Sequence, residues 1–285
     1  AASQAALHRA LADTDERVVC EAVRALGNHT DADTPAQLEK LLAHRSAHVQ
    51  RLAFEAWGNV AKELRGERTL TSRALTLEST NVRNAAFVSD AKLRGDELEP
   101  AIVLRAADKD PRARATAAEA ARFLSPANAM PLLLRLAQDD DVRVVEAACA
   151  SLAPFADPLA HQKLVALLDA QDNGVRLAAL EALGERARAA DLENLARCLE
   201  SSRGEIADEV AAQVLEVTAR IARGVTGTDS VDELVRARAA DVFARGARHP
   251  DPFVRKRARE LQAQALHGTP APRVSVEANE ETGYV

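Results

Sequence analysis

The feature that most constrains this chain is a spacing. The phrase DERVVCEAVRALG at 15–27 returns as DNGVRLAALEALG at 172–184. Aligned on the first valine of each, the chain presents Val18, Val49, Val82, Ala113, Val144, Val175, Ile206 and Val254, with steps of 31, 33, 31, 31, 31, 31 and 48 residues. A fixed period of this size marks a repeat architecture. In such a chain each unit meets only its neighbours, and stacking buries what one unit cannot bury alone.

Four further places travel with this ruler. Three residues before each ruler position stand Asp15, Ser46, Ser79, Asp110, Asp141, Asp172, Arg203 and Asp251. All but Arg203 are Asp or Ser, whose side-chain oxygens accept an orphan N–H at a helix start. Four residues after it stand Ala22, Ala53, Ala86, Ala117, Ala148, Ala179, Val210 and Ala258, small enough for a neighbouring helix to come close. Eleven and seven residues before it, apolar residues such as Leu7 and Leu11, Leu133 and Ala137, and Leu164 and Leu168 share one face of a preceding helix. Each unit therefore reads as a helix A, a turn holding Asp or Ser, and a helix B. The A helices are expected near 3–12, 34–44, 67–77, 96–107, 127–138, 157–169, 190–200 and 229–247.

The phrase carried by Asp172, Val175, Arg176, Ala179, Ala182, Leu183 and Gly184 resembles the second helix of HEAT repeats, and more narrowly the short bacterial HEAT-like repeats. The resemblance covers residues 3–266. It implies an all-α fold, a right-handed α-solenoid of about eight HEAT-like helix pairs, with units near 3–28, 34–61, 67–94, 96–124, 127–154, 157–188, 190–223 and 229–266. It also implies that the arginine after the ruler valine joins a ladder between repeats, with helix B on the concave side. Arg83, Arg114, Arg176 and Arg255 match that arginine, whereas Val19, Gln50, Val145 and Ala207 do not, so the ladder is expected to be interrupted.

Composition agrees with helix. Hydrophobic residues make up 47% of the 285 residues but aromatics only 3%. Alanine and leucine carry the apolar content, and both favour helix over strand. A net charge of -6 disfavours nucleic acid as a partner. No apolar run approaches the roughly 20 residues that span a bilayer. Cys20, Cys149 and Cys198 stand far apart with no C-x-x-C, which reads as packing residues in a reducing compartment and favours the cytoplasm over the periplasm. The single methionine is Met130, so the chain is read as N-terminally processed or as part of a longer, bacterial polypeptide.

No chemistry-bearing constellation emerges. His44 and His48 have metal-ligand spacing, but Ser46 between them is an expected helix start, which divides them between two elements. Among enzymes with HEAT-like folds, deoxyhypusine hydroxylases carry His-Glu dipeptides, which this sequence lacks, and alkylpurine DNA glycosylases use a basic surface, whereas this chain is acidic. Phosphate-loop and nucleophile-elbow motifs are missing too. No catalytic residue, metal ligand or cofactor is therefore expected. The bilin lyases, which share the short repeats, are the enzyme alternative.

Irregularities carry the remaining information. Unit three has two extra residues and places Asp90 where Leu26 and Leu183 stand; a helix offset that carries Asp90 to solvent is expected, against a buried carboxylate with a polar partner. Seventeen extra residues precede the last ruler position, and Asp229 or Ser230 is expected to start a long helix after GVTGTDS. Residues 236–259 carry a charge of +6 and the remainder -12. That reads as a solvated end cap or as a docking patch made of Arg245, Arg248, Arg255, Lys256 and Arg259, beside which GVTGTDS would project. Residues 1–267 form the repeat region and 268–285 a linker or the start of a further domain. There RVSVEANEETGYV resembles the first strand and turn of bacterial cyclophilins, which implies an accessory arm of a peptidyl-prolyl isomerase whose catalytic domain follows residue 285.

On helix B, the second and sixth places after the ruler residue point away from the buried row. They include Arg24, Arg51, Glu55, Glu119, Glu146 and Glu181, the candidate partner-binding residues together with the C-terminal basic set. The expected function is a non-catalytic protein–protein interaction scaffold.

Overall fold

The sequence places an acceptor where each B helix must start, and the helices begin there. In the computed structural model, which describes residues 2–28, 33–64, 78–225 and 229–266, the carboxylates of Asp15, Asp110 and Asp141 accept from the backbone N–H two residues on, at 2.9, 2.9 and 3.0 Å. Asp172 and Asp251 accept from the ruler valines themselves, at 3.1 and 3.0 Å. Ser46 holds Val49 more loosely at 3.4 Å, and Ser79 makes no capping bond.

The helices alternate as the ruler requires. They are α1 (Ala2–Ala10), α2 (Glu16–Leu26), α3 (Thr34–Leu41), α4 (Ala47–Leu64), α5 (Thr80–Arg94), α6 (Glu99–Arg105), α7 (Pro111–Ala121), α8 (Pro126–Leu136), α9 (Val142–Leu152), α10 (Pro158–Leu167), α11 (Asn173–Leu183), α12 (Leu192–Ser201), α13 (Ala207–Arg223), α14 (Ser230–Gly246) and α15 (Pro252–Leu266). The expected A helix at 67–77, including Thr71, lies outside the described residues. No strand occurs among the described residues.

Two compact units emerge, residues 1–183 and 184–285. In the first, the B helices stack in order, α2 on α4, α4 on α5, α5 on α7, α7 on α9 and α9 on α11. Each of α1, α3, α8 and α10 packs on its own B helix. In the second, α13 packs against α12, α14 and α15, and α14 also packs against α12 and α15. The core of each unit is aliphatic with few rings: Trp57, Phe54 and Phe243 are the largest fully buried side chains.

The small-residue row lies where close approach demands it. Ala22, Ala53, Ala86, Ala117, Ala148, Ala179, Val210 and Ala258 are all buried to 2% exposure or less. A larger side chain here has no room, so Ala179→Leu is expected to lose about 1–3 kcal/mol of stability by overpacking. Chemical denaturation with helical content as the signal checks this. An unchanged midpoint would mean that the row tolerates bulk.

Gln50 and the four ruler arginines do one job in common. Each donates to carbonyls of the turn that precedes its own B helix: Gln50 to His44 at 2.7 Å, Arg83 to Glu78 at 2.7 Å, Arg114 to Asp108 at 3.0 Å, Arg176 to Ala170 at 2.5 Å and Arg255 to His249 at 2.8 Å. The last carbonyls of an A helix have no partner within that helix, and a long cationic or amide side chain supplies one. Gln50 thus does the work of the arginine it replaces. Arg114 also reaches the next unit, with Nε and Nη2 both 2.7 Å from the carboxylate of Asp139.

The ruler breaks at unit seven for a physical reason. Arg203, at the capping place, has no acceptor to offer an N–H. Ile206, at the ruler place, begins α13 with φ +51° and is 39% exposed, and Gly204 sits at φ +85°. A β-branched residue in the left-handed region is a strained backbone. The helix that follows keeps its spacing, and Val210 is fully buried. Asp229 starts α14 as expected, accepting from Val231 and Asp232 at 3.0 and 2.8 Å.

Asp90 does not reach solvent. It is 8% exposed, with Oδ2 3.3 Å from Arg94 Nη1 and no partner for Oδ1. The arginine one turn on supplies the counter-charge that makes burial tolerable.

Candidate functional site

The second and sixth places of the B helices in the first unit form a face that is mostly open to solvent. Along the sixth place run Arg24, Glu55, Val88, Glu119, Ala150 and Glu181, and along the second run Cys20, Arg51, Asn84, Ala115, Glu146 and Leu177. Cys20 is the exception, buried at 5%. Arg24, Glu55, Glu119, Ala150 and Glu181 are exposed, and Arg51, Asn84, Val88, Ala115, Glu146 and Leu177 are half-buried.

The charges on this face divide into two kinds. Arg24 pairs with Glu21, and Arg51 with Glu55 one turn on. Both are local pairs within one helix, which contribute a few tenths of a kcal/mol each. Glu119, Glu146 and Glu181 form no salt bridge among the described residues, although the charge of Arg122 acts on Glu119. Crowding by protein raises the Glu119 pKa above the usual glutamate value, and the charge of Glu55 adds to the rise. Glu55 stands two repeats away, on α4. Desolvation also raises Glu146, with Asp172 and Asp141 adding repulsion.

Beside this row is a small polar and aromatic cluster. Lys92 donates to Asn59, and its Nζ lies 5.9 Å from the centroid of the Phe123 ring; the Arg122 guanidinium lies 5.6 Å from the same ring. Arg105 stacks 4.7 Å from the Phe87 ring and donates to Asn84, with Nε buried and unbonded. Nothing in the sequence pattern pointed to these groups. Phe123, Lys92 and Arg105 stand off the four ruler places, and only the packing of successive units brings Lys92 to Asn59 and Phe123 and Arg105 to Asn84.

The C-terminal basic residues lie in the second unit. Arg245 is held twice, by Asp241 at 2.7 Å and Glu200 at 2.8 Å. Arg255 donates to the His249 and Pro250 carbonyls at 2.8 and 2.5 Å. Lys256 is 3.8 Å from Glu260, and Arg257 pairs with Glu216. Arg248 and Arg259 are exposed and form no salt bridge among the described residues. Glu200, Glu216 and Glu260 all fall outside 236–259, so counting charge along that window missed three acids that folding brings to it. Part of the GVTGTDS turn, residues 226–228, lies outside the described residues, as does everything from 267 to 285.

Among the described residues no three His, Cys, Asp or Glu side chains are grouped so as to hold a metal ion. His44 sits in the turn before α4, where its Nδ1 accepts from the Ser46 N–H at 3.1 Å, and His48 is on α4 itself. No described helix is long and apolar enough to cross a membrane.

No protein-family model matches this sequence, and no curated protein matches it. Similar architectures occur among solved structures. The complex of CpcE and CpcF of phycocyanin lyase from Nostoc is similar with a TM-score of 0.51 at 18% identity, over 84% of this chain and 94% of that one. Aminopeptidase A of Legionella pneumophila, in complex with aspartic acid, is similar with a TM-score of 0.54 at 13% identity, over 90% of this chain and 38% of that one. YibA of Escherichia coli gives 0.46 at 18% identity, over 91% and 92% of the two chains. At such identities the likeness is one of fold: the chain is an all-α helical repeat of the HEAT- and armadillo-like kind.

Proposed function

We propose that this chain is a non-catalytic protein-binding scaffold whose first unit receives a partner segment along the row formed by the second and sixth places of its B helices. One observation carries this reading. On that row Glu119, Glu146 and Glu181 form no salt bridge among the described residues, Arg122 offsetting only part of the rise at Glu119, and Val88, Ala150 and Leu177 share the row with them. A carboxylate crowded by protein and repelled by its neighbours gains most from an incoming cation. Apolar positions between the acids supply the contact area that charge alone lacks. The fitting partner is a polypeptide segment with Lys or Arg set between apolar residues.

The test is a comparison of partners captured by the parent and by the triple variant Glu119→Lys, Glu146→Lys, Glu181→Lys. A partner that uses the row should lose at least tenfold in affinity to the triple variant, with helical content unchanged. Its binding to the parent should weaken with salt, since exposed charges are screened beyond about 8 Å at physiological ionic strength. It should also weaken as pH falls, and from higher pH than ordinary glutamates give, because Glu119 and Glu146 take up protons early. Equal affinity for parent and triple variant would end this reading.

A second reading rests on the likeness to the CpcE–CpcF phycocyanin lyase complex, which spans most of both chains. A bilin-lyase-like activity would appear as a shift in bilin absorbance when the chain is mixed with the chromophore and an acceptor protein. The charge-reversed row would leave that signal unchanged.

A further inference from the structure

Helix α2 departs from the other B helices of the first unit at two places. At the ruler place Val49, Val82, Val144 and Val175 are exposed by 5% or less, whereas Val18, the same residue at the same place, is exposed by 40%. At the third place after the ruler stand Leu52, Ala85, Thr116, Ala147 and Ala178, none of them charged, whereas α2 carries Glu21 there.

Both residues belong to one groove. Leu7 and Ala10 of α1 and Val18, Ala22 and Ala25 of α2 line a space of about 700 Å³, and its lining also includes Asp15, Arg17 and Glu21. At about 100° per residue, Val18, Ala22 and Ala25 form one apolar strip, and Arg17 and Glu21 stand one turn apart along one side of it. An apolar strip with a charged rim is how a protein–protein interface is built.

The order of the charges selects the occupant. The side chains of Arg17 and Glu21 are exposed by 90% and 71%. Each is paired only locally, Arg17 with Asp15 at 2.8 Å and Glu21 with Arg24. Exposed pairs of this kind contribute little, so exchanging them for other partners costs little. A helix lying antiparallel on α2 must offer an acid to Arg17 and a base to Glu21. Read backwards, α2 itself supplies that order. A two-fold axis passing near Val19, midway between the two charges, brings Arg17 of each copy to Glu21 of the other. A two-fold contact uses the same patch twice, so both pairs form together. With a rise of 1.5 Å per residue, the same axis sets the two copies of Val18 about 3 Å apart along the helix direction, and the apolar strips meet.

We propose that the α1–α2 face binds a second copy of this chain across a two-fold axis, with α2 antiparallel to its counterpart. The apolar strip supplies the contact area, and the two Arg17–Glu21 pairs set the register.

A charge swap tests the occupant and the register together. Sedimentation equilibrium of the parent should show monomer and dimer in exchange. Arg17→Glu alone, or Glu21→Arg alone, sets like charges against each other twice in each dimer and should weaken association by about tenfold or more. The two substitutions together restore opposite signs and should bring the dissociation constant back to within about threefold of the parent. Circular dichroism should give the same helical content for all four proteins, which separates lost association from lost folding. Val18→Cys gives a readout that does not depend on charge: mild oxidation should link its chains in pairs. The parent should stay unlinked, because Cys20, Cys149 and Cys198 are buried and burial pushes the Cys149 thiol up to about 12. A parent that is monomeric at every concentration would overturn the proposal and leave the groove to a different protein. So would a dimer that survives both single reversals, a double swap that restores nothing, or a Val18→Cys chain that does not link.

Discussion

Replacing Trp57 by alanine is expected to remove about 3–5 kcal/mol of stability, the range for deleting a fully buried large aromatic. Trp57 is 2% exposed and belongs to the cluster that joins the first two helix pairs, with Leu26, Leu38, Val49 and Phe54 around the same core. The surrounding helices approach closely, as at Gly58 against Ser89, so they have little room to collapse into the space left behind. Urea denaturation followed by circular dichroism measures the loss. A repeat protein distributes stability among neighbours, so the transition should also broaden as the first pairs unfold ahead of the rest. A midpoint within error of the parent would show that the core relaxes freely around this site.

Much of this fold could be read in advance because the determinants are local and periodic. Asp at the third place before the ruler sets a helix start through a bond two or three residues away. Alanine at the fourth place after it reports the distance between helices whatever the neighbour is. What could not be read depends on which neighbour is there. Val18 and Val175 are written identically, yet one is exposed and the other buried. Asp90 stands in a leucine place and looked destined for solvent; Arg94 one turn along keeps it inside. The candidate binding row was legible as a set of positions. Its electrostatics were not, since the effect of Glu55 on Glu119 arises between residues 64 apart.

The same distinction sorts the charges. The basic segment at 236–259 looked like a free patch from its own residues. In the fold Arg245 and Arg257 are taken by Glu200 and Glu216, so the freely available cations are fewer than the count along the chain.

Arg114→Ala should be the most damaging surface-near change, at about 2–3 kcal/mol, because the guanidinium makes charge-assisted bonds to Asp139 and neutral ones to the Asp108 and Lys109 carbonyls. Its side chain is 20% exposed and that of Asp139 is 12%, so solvent screens the pair little. Arg143 and Asp141 supply the contrast. They also lie 2.7 Å apart, but the arginine is 54% exposed, and Arg143→Ala should lose less than about 1 kcal/mol. The pH dependence separates the two explanations of a loss. Arg114 holds the Asp139 carboxyl below its usual value, with the hydrogen bond as the leading cause. A depressed native pKa means that the unfolded chain binds the proton first as pH falls. The contribution of the pair is therefore complete above the ordinary aspartate range near 3.8 and disappears as pH falls through the lower native value. The difference in stability between the parent and Asp139→Asn should shrink on acidification below about pH 4. A difference that stays constant from pH 7 to pH 3 would assign the loss to packing, and the link between the fourth and fifth repeats would not be electrostatic.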